Sequence, residues 1–468
     1  MSVTEKTVDF NSLERNIFIE CCQMGCDALI DTLASWDVAL AESRDKSAYR
    51  YKDLRKTTLK TIMGEIEYWR AMYEVADEDG TKRYVYLLDE ALGISGSGFF
   101  SGLLSELIAK AACEGSYRAA AQAVSEMTGQ TISHTAAWNV VQNLGERLNK
   151  SELEAAALVK KGEGKGTLET KVLFEELDGI HLNLQGKSRK EHGASKEMKV
   201  AIAYDGAEKT GKKRYRLANK VATANFESAK QFRIRKEGTI AATYDADEIE
   251  TRLMNGDGAN WINESAEPDT HFQLDHFHIS QAITRYIPNE DAREMIRDLL
   301  YSKQIDLMLD VIEAYSNSTE DEKEQENFLK LHGYFQSNKD YLIPCHRRGL
   351  DLPEPPEGKV YRRMGAMESN IFTIIGNRMK GRRRCWSING GNNLARLLCL
   401  KTTGILSETL QKLGSLVLPE RYAEEIEIRL SAAKVPQREG KGWDGFQNAS
   451  VPSSMPWMKN LAALRPLC

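Results

Sequence analysis

Residues 172–186 read VLFEELDGIHLNLQG. The run is apolar on both sides of Asp178 and ends in glycine, the pattern of a strand in a buried sheet. Two more strands follow, in EMKVAIAYDG (197–206) and RYRLANKVA (214–222), with the polar turn DGAEKTGKK (205–213) between them. Alternation and turn chemistry predict an antiparallel meander over 171–185, 197–205 and 213–222. A helix fits from 226 to about 235, then a short strand ending at Asn255 and a second in FQLDHFHI (272–279). The order predicts an α/β fold class with antiparallel and parallel parts in one sheet.

Beyond this core, residues 280–331 are polar and helical. Their acidic run TEDEKEQE (319–326) is a solvated helix face. DLPEPPEG (351–358) breaks the chain, and a last helix starts near Met364. Upstream, all 11 prolines lie at or after Pro268, so the N-terminal half lacks the strongest breaker of helix and strand. Residues 10–55 read as helix and 57–88 as a small β-element, in which ADEDGTK (76–82) separates two β-branched and aromatic runs. SGSGFFSG (95–102), around Gly96, reads as a hinge, and KGEGKGT (161–167) as a linker.

Residues 116–148, SYRAAAQAVSEMTGQTISHTAAWNVVQNLGERL, form a helix-turn-helix pattern. The first helix carries Ala119, Ala120, Ala123, Val124 and Met127, and the second Ala136, Ala137, Val140, Val141 and Leu144. Gly129 can take a positive φ in the turn and Ser133 can cap the second helix. That helix would present Ser133, His134, Thr135, Trp138 and Asn139 near its start, where such motifs contact DNA. The same pattern also occurs in helical hairpins that never touch DNA.

The 468 residues are 41% apolar and 28% charged, with 63 Lys or Arg against 68 Asp or Glu, a net charge of −5. This is a globular composition and excludes a wholly basic, histone-like protein. No apolar run reaches transmembrane length, and MSVTEKTVDF lacks the apolar core of a signal peptide. With eight sparse cysteines and no CxxC pair, a reduced, cytoplasmic compartment is expected. The charge is uneven: residues 181–240 hold 15 Lys or Arg against 6 Asp or Glu, which suits phosphate-backbone contact.

Five Asp-Gly pairs occur, at Asp79, Asp178, Asp205, Asp257 and Asp444. Asp79 and Asp205 sit in polar surroundings, as turns do. Asp178 shares its strand face with Phe174, Ile180, Leu182 and Leu184, where a carboxylate costs several kcal/mol unless paired or metal-bound. Asp257, in RLMNGDGANWI (252–262), ends a strand, where α/β folds place ligands, although the segment alone favours a tight turn capped by Asp. Glu368 heads a helix in MGAMESNIFTIIGNRMKGRRRCW (364–386), and helical spacing puts it on one face with Phe372, Ile375 and Met379. The alternative is an N-terminal glutamate facing the helix dipole. The same helix runs into Arg378, Lys380, Arg382, Arg383 and Arg384, suited to a polyanion. Three acids on separate elements can hold two Mg²⁺ (or Mn²⁺) ions about 4 Å apart, the arrangement for in-line phosphodiester displacement.

These residues carry a resemblance. ELDGIHLNLQ, NGDGANWI, LDHFHISQAI and MESNIFTIIGNRMKGRRRCWSINGGNNLARLL resemble ISLre-type bacterial insertion-sequence transposases, of the Mutator-like group of DDE transposases. The likeness runs from GCDALIDTLASWD to NNLARLL. It implies a ribonuclease-H-like catalytic core with Asp178, Asp257 and Glu368 as catalytic, metal-binding residues. It implies an all-helical insertion at 288–360 between core parts at 168–287 and 361–415. Before the core lie 1–100, helical with a β-hairpin, and the helix-turn-helix at 101–160; after it comes a tail at 416–468. Asp275 and His278 are similar to that group's Cys-or-Asp, two residues, His signature. The implied activity is cleavage and joining of double-stranded DNA at the ends of its own element, by a homodimer or larger assembly at the nucleoid. A nuclease or resolvase that does not join, and an inert DNA-binding descendant, are the alternatives. A zinc hydrolase is excluded for want of a close ligand set, since His276, His278, Cys345 and His346 make none.

Overall fold

The computed structural model describes residues 9–76, 80–92, 100–163, 165–381 and 383–413. They divide into two compact units, one from the chain up to 107 with 122–132 and 411–413, the other from 108–121 and 133–410. None of the helices among them is long and apolar enough to cross a membrane. The expected hinge at Gly96, residue Arg382 and the 416–468 tail lie outside the described residues.

In the first unit, helix α1 (Phe10–Ser43) packs on a three-stranded antiparallel sheet, β1 (Arg50–Lys60), β2 (Glu65–Ala76) and β3 (Lys82–Val85). Cys26 and Leu33 of α1 share a core with Leu59, Ile66 and Tyr68. The buried Asp37 carboxylate accepts the Ala71 N–H at 3.0 Å. The helix expected to reach residue 55 therefore ends twelve residues early. Residues 50–60 instead pair along their length with 65–74, about a turn in which Thr61 Oγ1 accepts the Met63 and Gly64 N–H groups at 3.1 Å. Helix α2 (Leu87–Leu92) follows.

Next come α3 (Gly102–Glu114), α4 (Tyr117–Thr128) and α5 (His134–Lys160). Between α4 and α5, Gly129 has φ +67° and Ser133 Oγ accepts the Ala136 N–H at 3.1 Å. The expected linker is strapped down: Gly166 N–H donates to Tyr244 O and Lys165 pairs with Asp245.

The second unit is built on β4 (Val172–Asn183), which is followed by α6 (Gly186–His192), β5 (Ser195–Tyr204), β6 (Ala207–Lys209), β7 (Tyr215–Leu217), β8 (Val221–Asn225), α7 (Ala229–Ala241), β9 (Thr251–Gly256), α8 (Asn260–Asn263), β10 (His271–Leu274) and α9 (His276–Tyr286). The main sheet has the order β10-β9-β4-β5-β8, antiparallel from β4 through β5 to β8 and parallel from β4 through β9 to β10. Two expectations change here. The third meander strand is split. Exposed Tyr215 and Arg216 leave with a side hairpin, Asn219 turns the chain at φ +49°, and the apolar residues from Val221 take the sheet edge. The expected strand FQLDHFHI stops at Leu274, because the buried residues Ile279, Ile283 and Ile287 recur at helical spacing.

Helices α10 (Glu290–Tyr301), α11 (Ile305–Ser318) and α12 (Glu322–Ser337) close their own core on α9, through Ile296, Met308, Ile312 and Phe335 against Ile283. Strand β11 (Lys359–Val360) pairs with β6. Helix α13 (Met367–Ile371) runs through a π-helical turn at Phe372–Gly376 into α14 (Asn377–Met379). Helix α15 (Ile388–Thr403), buried from Gly390 to Cys399, precedes α16 (Leu406–Leu413). On α5, Asn149 and Glu152 bind Arg235 and Arg396, and Gln142 bonds Asn393.

Candidate active site

Parallel pairing fixes where the acids fall. Glu176 on β4 is in register with Asn255 on β9, and Gly256 with Leu274 on β10. Where the parallel pairing stops, Asp178 lies two residues past Glu176 within β4, Asp257 directly follows β9 and Asp275 directly follows β10. Asp178, Asp257 and His278 each offer a ligand atom, and these atoms lie within 4.8 Å of one another. Asp178 Oδ1 accepts the Gly179 N–H at 2.7 Å and Asp257 Oδ1 the Ala259 N–H at 2.9 Å. Gly258, at φ +84°, turns the chain where a Cβ would strike Asn338. From the helical block, the Tyr334 hydroxyl donates to the Asp257 carbonyl at 2.9 Å.

Asp275 heads α9, and one turn on His278 Nδ1 lies 3.0 Å from its Oδ2. That bond is the main reason the His278 pKa is raised against burial, with the Asp178 and Asp257 charges adding to it. Burial pushes Asp275 up, but His278 and Asn255 outweigh it and hold its pKa low. The Asp178 pKa rises from 3.8 to about 6, first through burial, opposed by His278 and reinforced by Asp257 and Glu368. Among the described residues, no lysine or arginine pairs with Asp178 or Asp257. Two carboxylates and an imidazole converging without a counter-cation among the described residues could hold a divalent metal ion.

Glu368 stands apart. It is exposed and outside the 4.8 Å group, although its charge acts on Asp178. The single apolar face expected for it also fails. Ile371, Ile374 and Ile375 are buried while Phe372 is 62% exposed, and a π turn runs through Phe372–Gly376.

Glu176, which the sequence reading passed over, holds the Glu368 segment. It is fully buried on the Asp178 face of β4. Its carboxylate accepts the N–H groups of Gly365, Ala366 and Met367 at 3.0, 3.2 and 3.1 Å, the Tyr204 hydroxyl at 2.6 Å and Asn255 Nδ2 at 3.3 Å. Asn255 Nδ2 also reaches Asp275 Oδ1 at 2.9 Å. One carboxylate thus ties both strands, the His278 partner and the start of α13. The neighbouring Glu175 is equally buried and pairs with Lys236 and Arg252. The signal was two acids in an apolar run just before Asp178.

Two other residues are not what the sequence suggested. Arg378, expected to contact DNA, is buried: its guanidinium stacks with the Tyr117 and Trp386 rings and Nε donates to Ala112 O at 2.7 Å. Asp205, read as a polar turn, is fully buried and paired with Lys359 at 2.6 Å. Lys380 and Arg383 are exposed, while Arg384 donates to the Asn377 and Arg378 carbonyls. The β4–α6 corner is stitched to this segment, Trp386 N–H donating to Asn183 O and Gln185 N–H to Trp386 O, both at 2.9 Å. Exposed Lys187, Arg189 and Lys190 of α6 therefore adjoin it. Ser133, His134, Thr135, Trp138 and Asn139 are all exposed at the start of α5.

Comparison with known proteins gives a family without an assigned activity. The model of an uncharacterised protein family, UPF0236, matches residues 3–412. A "UPF0236 protein in vanSb 3'region" of Streptococcus gallolyticus is 23% identical over 408 residues, 84% of this chain and 83% of the relative. A UPF0236 protein of Caldanaerobacter subterraneus subsp. tengcongensis, whose name joins eleven locus labels, is 25% identical over 387 residues, 82% and 75% of the two chains. Among solved structures, a Drosophila P element transposase strand transfer complex aligns over 71% of this chain and 87% of its own, at 10% identity and a TM-score of 0.21, too low to carry an argument.

Proposed function

The chain belongs to the UPF0236 family, and from its site we propose that it is a DDE-type DNA transposase, cutting and joining DNA at the ends of its own element. The observation that carries this is the meeting of Asp178 of β4, Asp257 just after β9 and His278 of α9 within 4.8 Å. An antiparallel β4-β5-β8 half joined to a parallel β9-β10 half supports a ribonuclease-H-like core. The relative whose name spans eleven loci of one genome is in keeping with a copied element.

In this reading Asp178 and Asp257 hold the first of two Mg²⁺ (or Mn²⁺) ions, and Glu368 swings in from α13 to complete the second site. Bound ions would activate the attacking oxygen and stabilise the leaving one. Asp275 orients the His278 ring through Nδ1, leaving Nε2 toward the acids. Exposed Lys187, Arg189, Lys190, Lys380 and Arg383 take phosphates of duplex DNA, and His134, Thr135 and Asn139 face its bases. Two element ends must meet, so the working form is a homodimer or larger, inside the cell at the nucleoid.

The test is Mg²⁺-dependent joining of a labelled element end to plasmid DNA. Joining is expected from the native chain and lost in Asp178→Asn and Asp257→Asn. Nicking without joining would make the protein a nuclease or resolvase. DNA binding with neither would make it an inert descendant.

A further inference from the structure

We propose that the cleft beside α13 binds an unpaired DNA strand, with phosphates on Lys220 and Arg363 and a base on the Tyr215–Arg362 pair. The choice of DNA rests on the reading above; the site itself does not. The cleft encloses about 1080 Å³. It is lined by the β6–β7 hairpin, by the chain from Arg362 to Ala366 with Ser369 and Asn370, and by the end of α15.

The lining is cationic. Glu208 is its one acid, and Arg216 already neutralises it at 2.7 Å. Lys220 is half-buried, bonded to the neutral Asn370 side chain at 2.9 Å, with no carboxylate in ion-pair reach among the described residues. Burial without a counter-charge lowers its pKa, the state an incoming anion relieves. Arg363 is exposed and also lines the cleft; its charge reaches His276 and His346 of the neighbouring cavity, and no acid pairs with it among the described residues. The Arg362 guanidinium lies 4.1 Å over the Tyr215 ring, an aromatic and a planar cation stacked at the cleft wall. Phosphate-seeking cations lining a cleft beside a stacking platform are the elements of sequence-tolerant single-strand binding. A duplex hides its base faces from such a platform. The lining chain continues in sequence from Ala366 to Glu368.

The experiment is fluorescence anisotropy of labelled oligo-dT with the full chain in EDTA, across a salt titration. The native chain should bind. Lys220→Ala and Arg363→Ala should each reduce the salt slope by about 0.7. Tyr215→Ala should weaken binding about tenfold with the slope unchanged, and Tyr215→Phe should restore it. Duplex affinity should stay constant in all four. Arg363 is exposed, so its variant tests the idea even if Lys220→Ala misfolds. No oligo-dT binding, equal losses on duplex, preference for oligo-U, or dTTP binding as tightly as the oligonucleotide would each overturn the proposal. EDTA removes the chemistry from the readout. Asp257→Asn should therefore bind oligo-dT normally while failing to join, and an inactive native chain that passes these tests would sink the transposase reading alone.

Discussion

A single carboxylate, Glu176, accepts three successive backbone N–H groups ahead of Glu368. Glu176→Gln keeps the volume but turns an amide NH₂ toward those donors. Orphaning buried donors costs about 1–3 kcal/mol, so calorimetry should show a lower Tm. Joining should fall at least about tenfold, the rate equivalent of 1.4 kcal/mol, while duplex affinity holds. Joining at the native rate would mean that the N–H cradle does not set Glu368. Asp178 makes a prediction of opposite sign. Its pKa rises from 3.8 to about 6 on folding. The folded chain therefore binds that proton more tightly than the unfolded chain, and stability falls as pH rises through this window. In EDTA, Asp178→Asn should melt higher than the native chain above pH 6 and lose that advantage near pH 3.8. An Asn variant no more stable above that window would contradict the assigned burial. Asp178 was legible because a charge in an apolar run demands a partner. Glu176, on the same strand face, was not, because its partners lie 189–191 residues away.

Among the elements, the helix carrying Glu368 holds the local device most open to test. A π turn accommodates one residue more than an α-helix of the same span. Deleting Thr373 should therefore restore an unbroken α-helix with Glu368 kept on its present side of α14. Far-ultraviolet circular dichroism should be unchanged and joining retained. A folded deletion variant that no longer joins would show that the π turn itself sets Glu368. The sequence carries no mark of the π turn, since Ile371, Ile374 and Ile375 satisfy an ordinary helical stripe until Phe372 is seen to point outward. The main strands were legible where alternation and burial agree, as in β4 and β5. They were misread where a polar excursion left the sheet between β5 and β8, and where Asp275 turned a strand into α9.

At the scale of the whole molecule, the net charge of −5 conceals a basic surface around α6 and the 380–384 segment. The second helix of the helix-turn-helix pattern is also part of the sheet unit's core. Beyond its exposed start, α5 continues to Lys160 and packs through Gln142, Asn149 and Glu152 into the sheet unit. Cutting the chain inside α5 would damage the core as well as any recognition surface, so point changes are the fair test. His134→Ala with Asn139→Ala should lower the preference for element ends over random duplex by at least about tenfold, taking 1–3 kcal/mol per good base contact, with Tm unchanged. Equal preference in gel shifts would place recognition elsewhere. The cradle around Glu176 has one more consequence, in time. The chain emerges from the ribosome N-terminus first, so β4 is made long before residues 365–367. Until those residues appear, the central strand carries a buried acceptor with three empty places. A prematurely terminated product ending in the helical block would hold Asp178 and Asp257 yet lack the segment that locks β4 to Glu368. Translation interrupted there should therefore leave a fragment in which β4 is not tied to the Glu368 segment.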